Sequence, residues 1–159
     1  ASAPLRVNQL GYHIGYPEGK PGQVISSLIG RRNMRTIGRY RHTEPVVAWV
    51  ERARHPVTQS LGGLSGGPAF NAAGEIIGVT VAASKRRGRV FTTAPATMDD
   101  MVSLAKIQPA GSPSGGLRIR PSDEEYVQYG EKLRGELIVA KVLCLVDRPS
   151  RRRSGWRGF

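Results

Sequence analysis

The chain has one cysteine, Cys144, three histidines and an aromatic content of 6%. A lone cysteine excludes an internal disulfide, and no Cys/His cluster suggests a metal; no motif asks for a cofactor either. Its default role is a buried, inert thiol. Long apolar runs are missing too. Leu137–Val146 is about ten residues long and carries Lys141, so it is too short and too polar to span a bilayer. Acids are scarce: 12 Asp+Glu stand against 24 Lys+Arg, a formal charge of +12. The basic excess is spread along the chain. Arg31, Arg32, Arg35, Arg39 and Arg41 group in one expected loop region, and Lys85, Arg86, Arg87 and Arg89 in another. Such runs attract phosphates, anionic lipid heads or acidic protein surfaces. They lack interleaved aromatics, which makes nucleic acid the weaker reading and leaves solvated loops or an acidic protein surface as the stronger ones. No initiator Met or apolar signal segment opens the sequence, so Ala1 reads as a processed or cut end.

What is present is a short motif. Residues 63 to 68 read Gly63-Leu64-Ser65-Gly66-Gly67-Pro68. Glycines on both sides of a serine let the backbone turn tightly and aim amides at one point. A serine hydroxyl is a poor nucleophile unless a base removes its proton and donors hold the oxyanion, and the N–H groups of Gly63 and Ser65 are candidates for that hole. The competing reading is a Gly-rich turn with an incidental serine. Downstream, Ala69 to Val81 read as a strand, an Asn71-Ala72-Ala73-Gly74 turn and a second β-branched strand, hence a hairpin.

With that hairpin the motif resembles the trypsin-like serine proteases, and within them the bacterial HtrA/Deg-like branch. The stretch Leu5–Pro17 resembles the strand and Gly-x-Pro turn that open the family's second barrel, and Gly22–Arg31 the next strand. Val90–Pro95 followed by Thr97–Lys106 resembles the last strand and closing helix. The likeness covers roughly residues 4 to 107. It implies an all-β fold: an antiparallel six-stranded Greek-key barrel with a closing helix, followed by a short α/β extension.

The resemblance implies a serine endopeptidase that hydrolyses peptide bonds through an acyl-enzyme, with Ser65 as nucleophile and the Gly63 and Ser65 amides as oxyanion hole. It also implies that the base and acid come from a first barrel. No segment here reads as the family's Ala-His strand end, and no Asp falls in its first-barrel position. His13, His42 and His55 read as structural or solvated histidines. The expected partner is therefore a companion N-terminal barrel carrying His and Asp, on another chain of a cleaved precursor or lost from a fragment. By the same likeness Gln59 lies near the base of the primary pocket and Thr80, Val81, Ala82 and Ala83 wall it, with no acid present, which suits a neutral, small apolar residue of a protein or peptide substrate. Leu64 stands where many trypsin relatives have an Asp that binds a freed N-terminus on activation, so that ion pair is not expected. Relatives of this type imply a periplasmic or secreted location. The reading from another class is a non-catalytic barrel that binds or assembles through its basic loops and extension.

The chain divides into the barrel with its helix (1–107), a Gly/Pro/Ser linker (108–117), a helix–strand extension (118–147) and a basic tail (148–159). Strands are expected at Gln23–Ile29, Val46–Glu51 (anchored by Trp49), Ile76–Val81 and Arg89–Thr93. Thr97-Met98-Asp99-Asp100 reads as the start of an amphipathic helix whose early acids suit its N-terminus and whose Lys106 suits its C-terminus. Ser122 and Glu125 form a capping box for a helix running to about Arg134. Leu137–Val146 then reads as a strand or as a patch that needs covering. The extension is too short for the PDZ module that HtrA relatives often carry, and docking, to the barrel or to a partner, is its expected task.

Overall fold

Alternation of apolar and small residues, broken by Gly and Pro turns, produces six strands that close on themselves. The computed structural model describes residues 4–35, 41–84, 88–106, 123–143 and 145. The strands are β1 (Leu10–Gly15), β2 (Gly22–Arg35), β3 (Thr43–His55), β4 (Pro68–Phe70), β5 (Ile76–Ser84) and β6 (Arg89–Thr93). All pairings are antiparallel, and the closed order is β1-β2-β3-β6-β5-β4. The final seam joins His13 to Ala69 and Tyr12 to Phe70. Register shifts between Ile25 and Ser26, Leu28 and Gly30, Ala69 and Phe70, and Thr80 and Ala82 supply the bending that closure requires.

Successive side chains on a strand face opposite ways, and here both faces are used. Inside the barrel, Val24, Leu28, Val47, Trp49, Leu64, Ala69, Ile77 and Val90 form one core. Trp49 is fully buried, and its indole N–H donates to Thr92 Oγ1 at 3.0 Å. The alternate residues of β1, Tyr12 and Ile14, point outward yet are also fully buried. They are covered by a second core with Ile25, Phe70, Tyr126, Leu133 and Val139. Three of those residues belong to the extension, so helix α2 (Asp123–Gly135) is docked on the outer face of β1 and β2.

The β4–β5 hairpin forms at the expected Asn-Ala-Ala-Gly turn. Asn71 Oδ1 accepts from the Ala73 and Glu75 amides at 2.9 and 3.0 Å, which holds the turn closed. Four sequence expectations need correction. Strands β2 and β3 run to 14 and 13 residues, so Arg31, Arg32 and Arg35 sit on strand rather than in a loop. Helix α1 spans Pro95–Leu104 and starts at the proline, with Ala94 as an N-cap that makes no side-chain bond. Proline at the first turn needs no N–H and is pre-set in φ; Asp99 and Asp100 therefore lie in the second turn, and Lys106 falls beyond the helix at φ 52°. Among the described residues after α2 no strand forms: residues 136–143 are irregular, with Val139 buried and Leu137, Ile138, Val142 and Leu143 exposed. Ser122, Cys144, the linker 108–117 and the tail 148–159 lie outside the described residues.

Candidate active site at the serine turn

The turn that carries Ser65 connects the interior of the barrel to β4. Leu64 is the anchor: it is 1% exposed and packed in the inner core, which drives the neighbouring Ser65 to the surface. Gly63 adopts φ +96°, and a Cβ there would sit 2.5 Å from the Tyr16 carbonyl oxygen. A Cβ on Gly67 would collide with the Ile14 carbonyl oxygen and lie 2.9 Å from that of Leu64. Only glycine fits at these two positions, because the atoms met are backbone rather than flexible side chain.

The amides of this turn divide into two sets. Gly62 N–H donates to Ser60 Oγ, Leu64 N–H to the Leu61 carbonyl, Gly66 N–H to that of Thr80 and Gly67 N–H to that of Leu64. Among the described residues, the N–H groups of Gly63 and Ser65 have no acceptor. Both are exposed. The Ser65 hydroxyl donates to the Val81 carbonyl at 3.2 Å.

None of the three histidines is hydrogen-bonded to Ser65. His13 is fully buried inside the barrel, edge-on to Trp49 at 5.7 Å between centroids. Its Nδ1 is 3.2 Å from Thr80 Oγ1 and its Nε2 2.6 Å from Ser26 Oγ, so both ring nitrogens are occupied. Burial lowers its pKa to about 3, which keeps the ring neutral. His42 lies at the outer start of the β3 region, 3.8 Å from Glu44. His55 ends β3 and lines a separate groove of about 760 Å³ beside α2.

The residues expected to form a primary pocket are not among those lining the cleft at Ser65. The Thr80 side chain is buried and turned to His13, Gln59 and Ala83 are exposed, and Val81 and Ala82 are half-buried. Val81 meets Ser65 through its carbonyl. The cleft that opens on Ser65 holds about 520 Å³ and is lined by other groups: Tyr16, Gly63, the serine turn, and Ile138 to Val142 of the extension. The extension's part in this cleft had no local signal in the sequence beyond an apolar run with a lysine inside it.

A closed six-stranded antiparallel barrel with the serine turn ahead of β4 and a helix after β6 has the fold of a trypsin-like barrel. Among solved structures it is similar to the Rv3671c protease of M. tuberculosis in its active form, at 20% identity and a TM-score of 0.54, over 73% of this chain and 49% of that one. The inactive form of that protease matches at 18% identity and a TM-score of 0.49, over 65% of this chain and 51% of that one. The MamO protease domain of Magnetospirillum magneticum matches at 18% and 0.41, over 65% and 50%. The chain thus spans about half the length of the solved structures it matches. No protein-family model and no curated protein matches it.

Proposed function

We propose that this chain supplies the nucleophile and the oxyanion hole of a trypsin-like serine endopeptidase acting on protein or peptide substrates. The observation that carries this reading is the exposed Ser65 on a glycine turn whose Gly63 and Ser65 amides lack acceptors among the described residues, while those of Gly62, Leu64, Gly66 and Gly67 are bonded. Preorganised donors aimed at a developing charge are what acyl transfer needs, and each is worth about a hundredfold or more in rate.

The base must come from elsewhere. His13 is buried and doubly bonded, and neither His42 nor His55 lines the serine cleft. The imidazole and its orienting carboxylate belong, in this proposal, to an N-terminal barrel beyond these 159 residues. An imidazole within about 3 Å of Ser65 Oγ takes its proton as Oγ attacks the scissile carbonyl. The carbonyl oxygen then accepts from the Gly63 and Ser65 amides. Collapse expels the amine, protonated by the imidazolium, and leaves an acyl-serine that water hydrolyses.

Peptide hydrolysis by the protein joined to its N-terminal barrel tests this. Ser65→Ala is expected to lower kcat by at least about a thousandfold with the fold intact. Hydrolysis that survives Ser65→Ala would instead support a binding barrel with a contaminating or different activity.

A further inference from the structure

We propose that Lys141, carried on the C-terminal extension, selects a carboxylate on the substrate that fills the cleft beside Ser65, so that peptides with an acidic residue next to the scissile bond are preferred. This rests on reading Ser65 as a nucleophile and adds a substrate class to it.

The extension is built into the cleft wall. Val139 is 5% exposed and belongs to the outer core with Leu133 and Phe70. The Tyr16 hydroxyl donates to its carbonyl at 3.4 Å, and Tyr16 itself lines the cleft. Two residues on, Lys141 Nζ donates to the Gly19 carbonyl at 3.0 Å. That bond is solvent-exposed and uses one of the ammonium's three N–H donors. The Lys141 stem and the Gly63–Ser65 turn thus face one cavity of about 520 Å³.

Charge decides what this cavity prefers. Among the described residues lining it, Lys141 is the one charged side chain; no carboxylate is present to neutralise it. Glu18 and Lys20 flank Gly19 in sequence but do not line the cleft. An ammonium with free donors, beside a concave site lined mainly by glycine and aliphatic groups, favours an anionic group and repels a cationic one.

A readout that needs no catalytic base separates this idea from the nucleophile reading. In the 159-residue chain carrying Ser65→Cys and Cys144→Ala, the new thiolate attacks a methanethiosulfonate, forming a mixed disulfide and releasing methanesulfinate. The ratio of rates for the negatively charged sulfonatoethyl reagent over the positively charged trimethylammonioethyl reagent is expected to fall about fivefold with Lys141→Gln, and further with Lys141→Glu. Lys106→Gln makes the same change in net charge outside the cleft and leaves the ratio unchanged. A ratio that Lys141→Glu does not move, or that Lys106→Gln moves equally, overturns the proposal.

In the two-barrel protein, kcat/KM for peptides with Asp or Glu beside the cleaved bond exceeds that for neutral analogues, and Lys141→Gln removes the difference while neutral peptides are still cleaved. Amidated and free-acid peptides distinguish a side-chain carboxylate from a terminal one. A protein that reacts with a fluorophosphonate at Ser65 yet shows no acidic preference refutes the role of Lys141 and leaves the nucleophile standing. Absence of that reaction refutes the nucleophile, and with it the substrate class.

Discussion

The Tyr126 hydroxyl donates to the backbone carbonyl of His13 at 2.9 Å, across 113 residues of sequence. It ties α2 to the first strand of the barrel at a residue that pairs with Ala69 across the β1–β4 seam. Tyr126 is 2% exposed and stacks at a tilt on Tyr12, with ring centroids 5.4 Å apart. Tyr126→Phe, which removes the bond alone, is expected to cost about 1 kcal/mol, and Tyr126→Ala about 3–5 kcal/mol. Urea titrations followed separately by barrel and helix signals check this. The outer core predicts one shared transition; a helix that melts first without affecting the barrel contradicts it.

His13 gives the stability a pH dependence of known sign. Its folded pKa of about 3 lies below the ordinary 6.5 because burial disfavours the charged ring. Between those values the unfolded chain binds a proton that the native one does not, so stability falls as pH drops from about 6.5 toward 3. The slope approaches about 1.4 kcal/mol per pH unit for this one group. Unfolding midpoints measured from pH 7 to pH 4 should show it, and His13→Gln should flatten it. That variant also loses about 1–3 kcal/mol at neutral pH, since the Ser26 and Thr80 hydroxyls are left poorly paired.

The barrel was legible because its signals are local. Short β-rich runs between Gly and Pro turns marked β2, β3, β5 and β6, and the glycine-flanked Ser65 marked the turn. Two kinds of feature were not legible. The ends of elements depend on pairing: β2 and β3 extend past the barrel because each supplies the other's hydrogen bonds out to Arg35 and Thr43, whatever their polarity. Helix α1 begins at Pro95 although Thr97 and Asp99 carry the stronger cap chemistry. The placement of the extension depends on contacts over more than 100 residues, such as Lys141 to Gly19 and Arg134 to Gln23. Leu137–Val146 has strand composition, yet Val139 is its one buried residue among those described.

Leu64 holds the serine turn to the core. Leu64→Ala is expected to cost about 2–5 kcal/mol. Leu64→Asp buries an unpaired carboxylate among Trp49, Leu61 and Val90 and is expected to leave the chain unfolded at neutral pH. Circular dichroism with denaturant distinguishes the two; a stable Leu64→Asp protein would show that the turn is not anchored as described.

Gly63 separates the fold from the proposed chemistry. Its φ of +96° and the Tyr16 carbonyl behind it make Gly63→Ala costly by about 1–3 kcal/mol. If its amide is an oxyanion donor, the variant that still folds should also lose about a hundredfold in acylation rate. Gly67→Ala should destabilise the turn as well, through the Ile14 and Leu64 carbonyls, and Tyr126→Phe supplies a destabilised variant whose change lies on α2, away from the turn. Equal acylation rates in Gly63→Ala and Tyr126→Phe proteins would remove Gly63 from the oxyanion hole.

The most direct test is covalent. The protein joined to the proposed N-terminal barrel is treated with a fluorophosphonate, digested and mapped by mass spectrometry. The account predicts one phosphonylated residue, Ser65, with labelling lost in Ser65→Ala and after heat denaturation. A native two-barrel protein that takes up no label, or takes it up elsewhere, would contradict it.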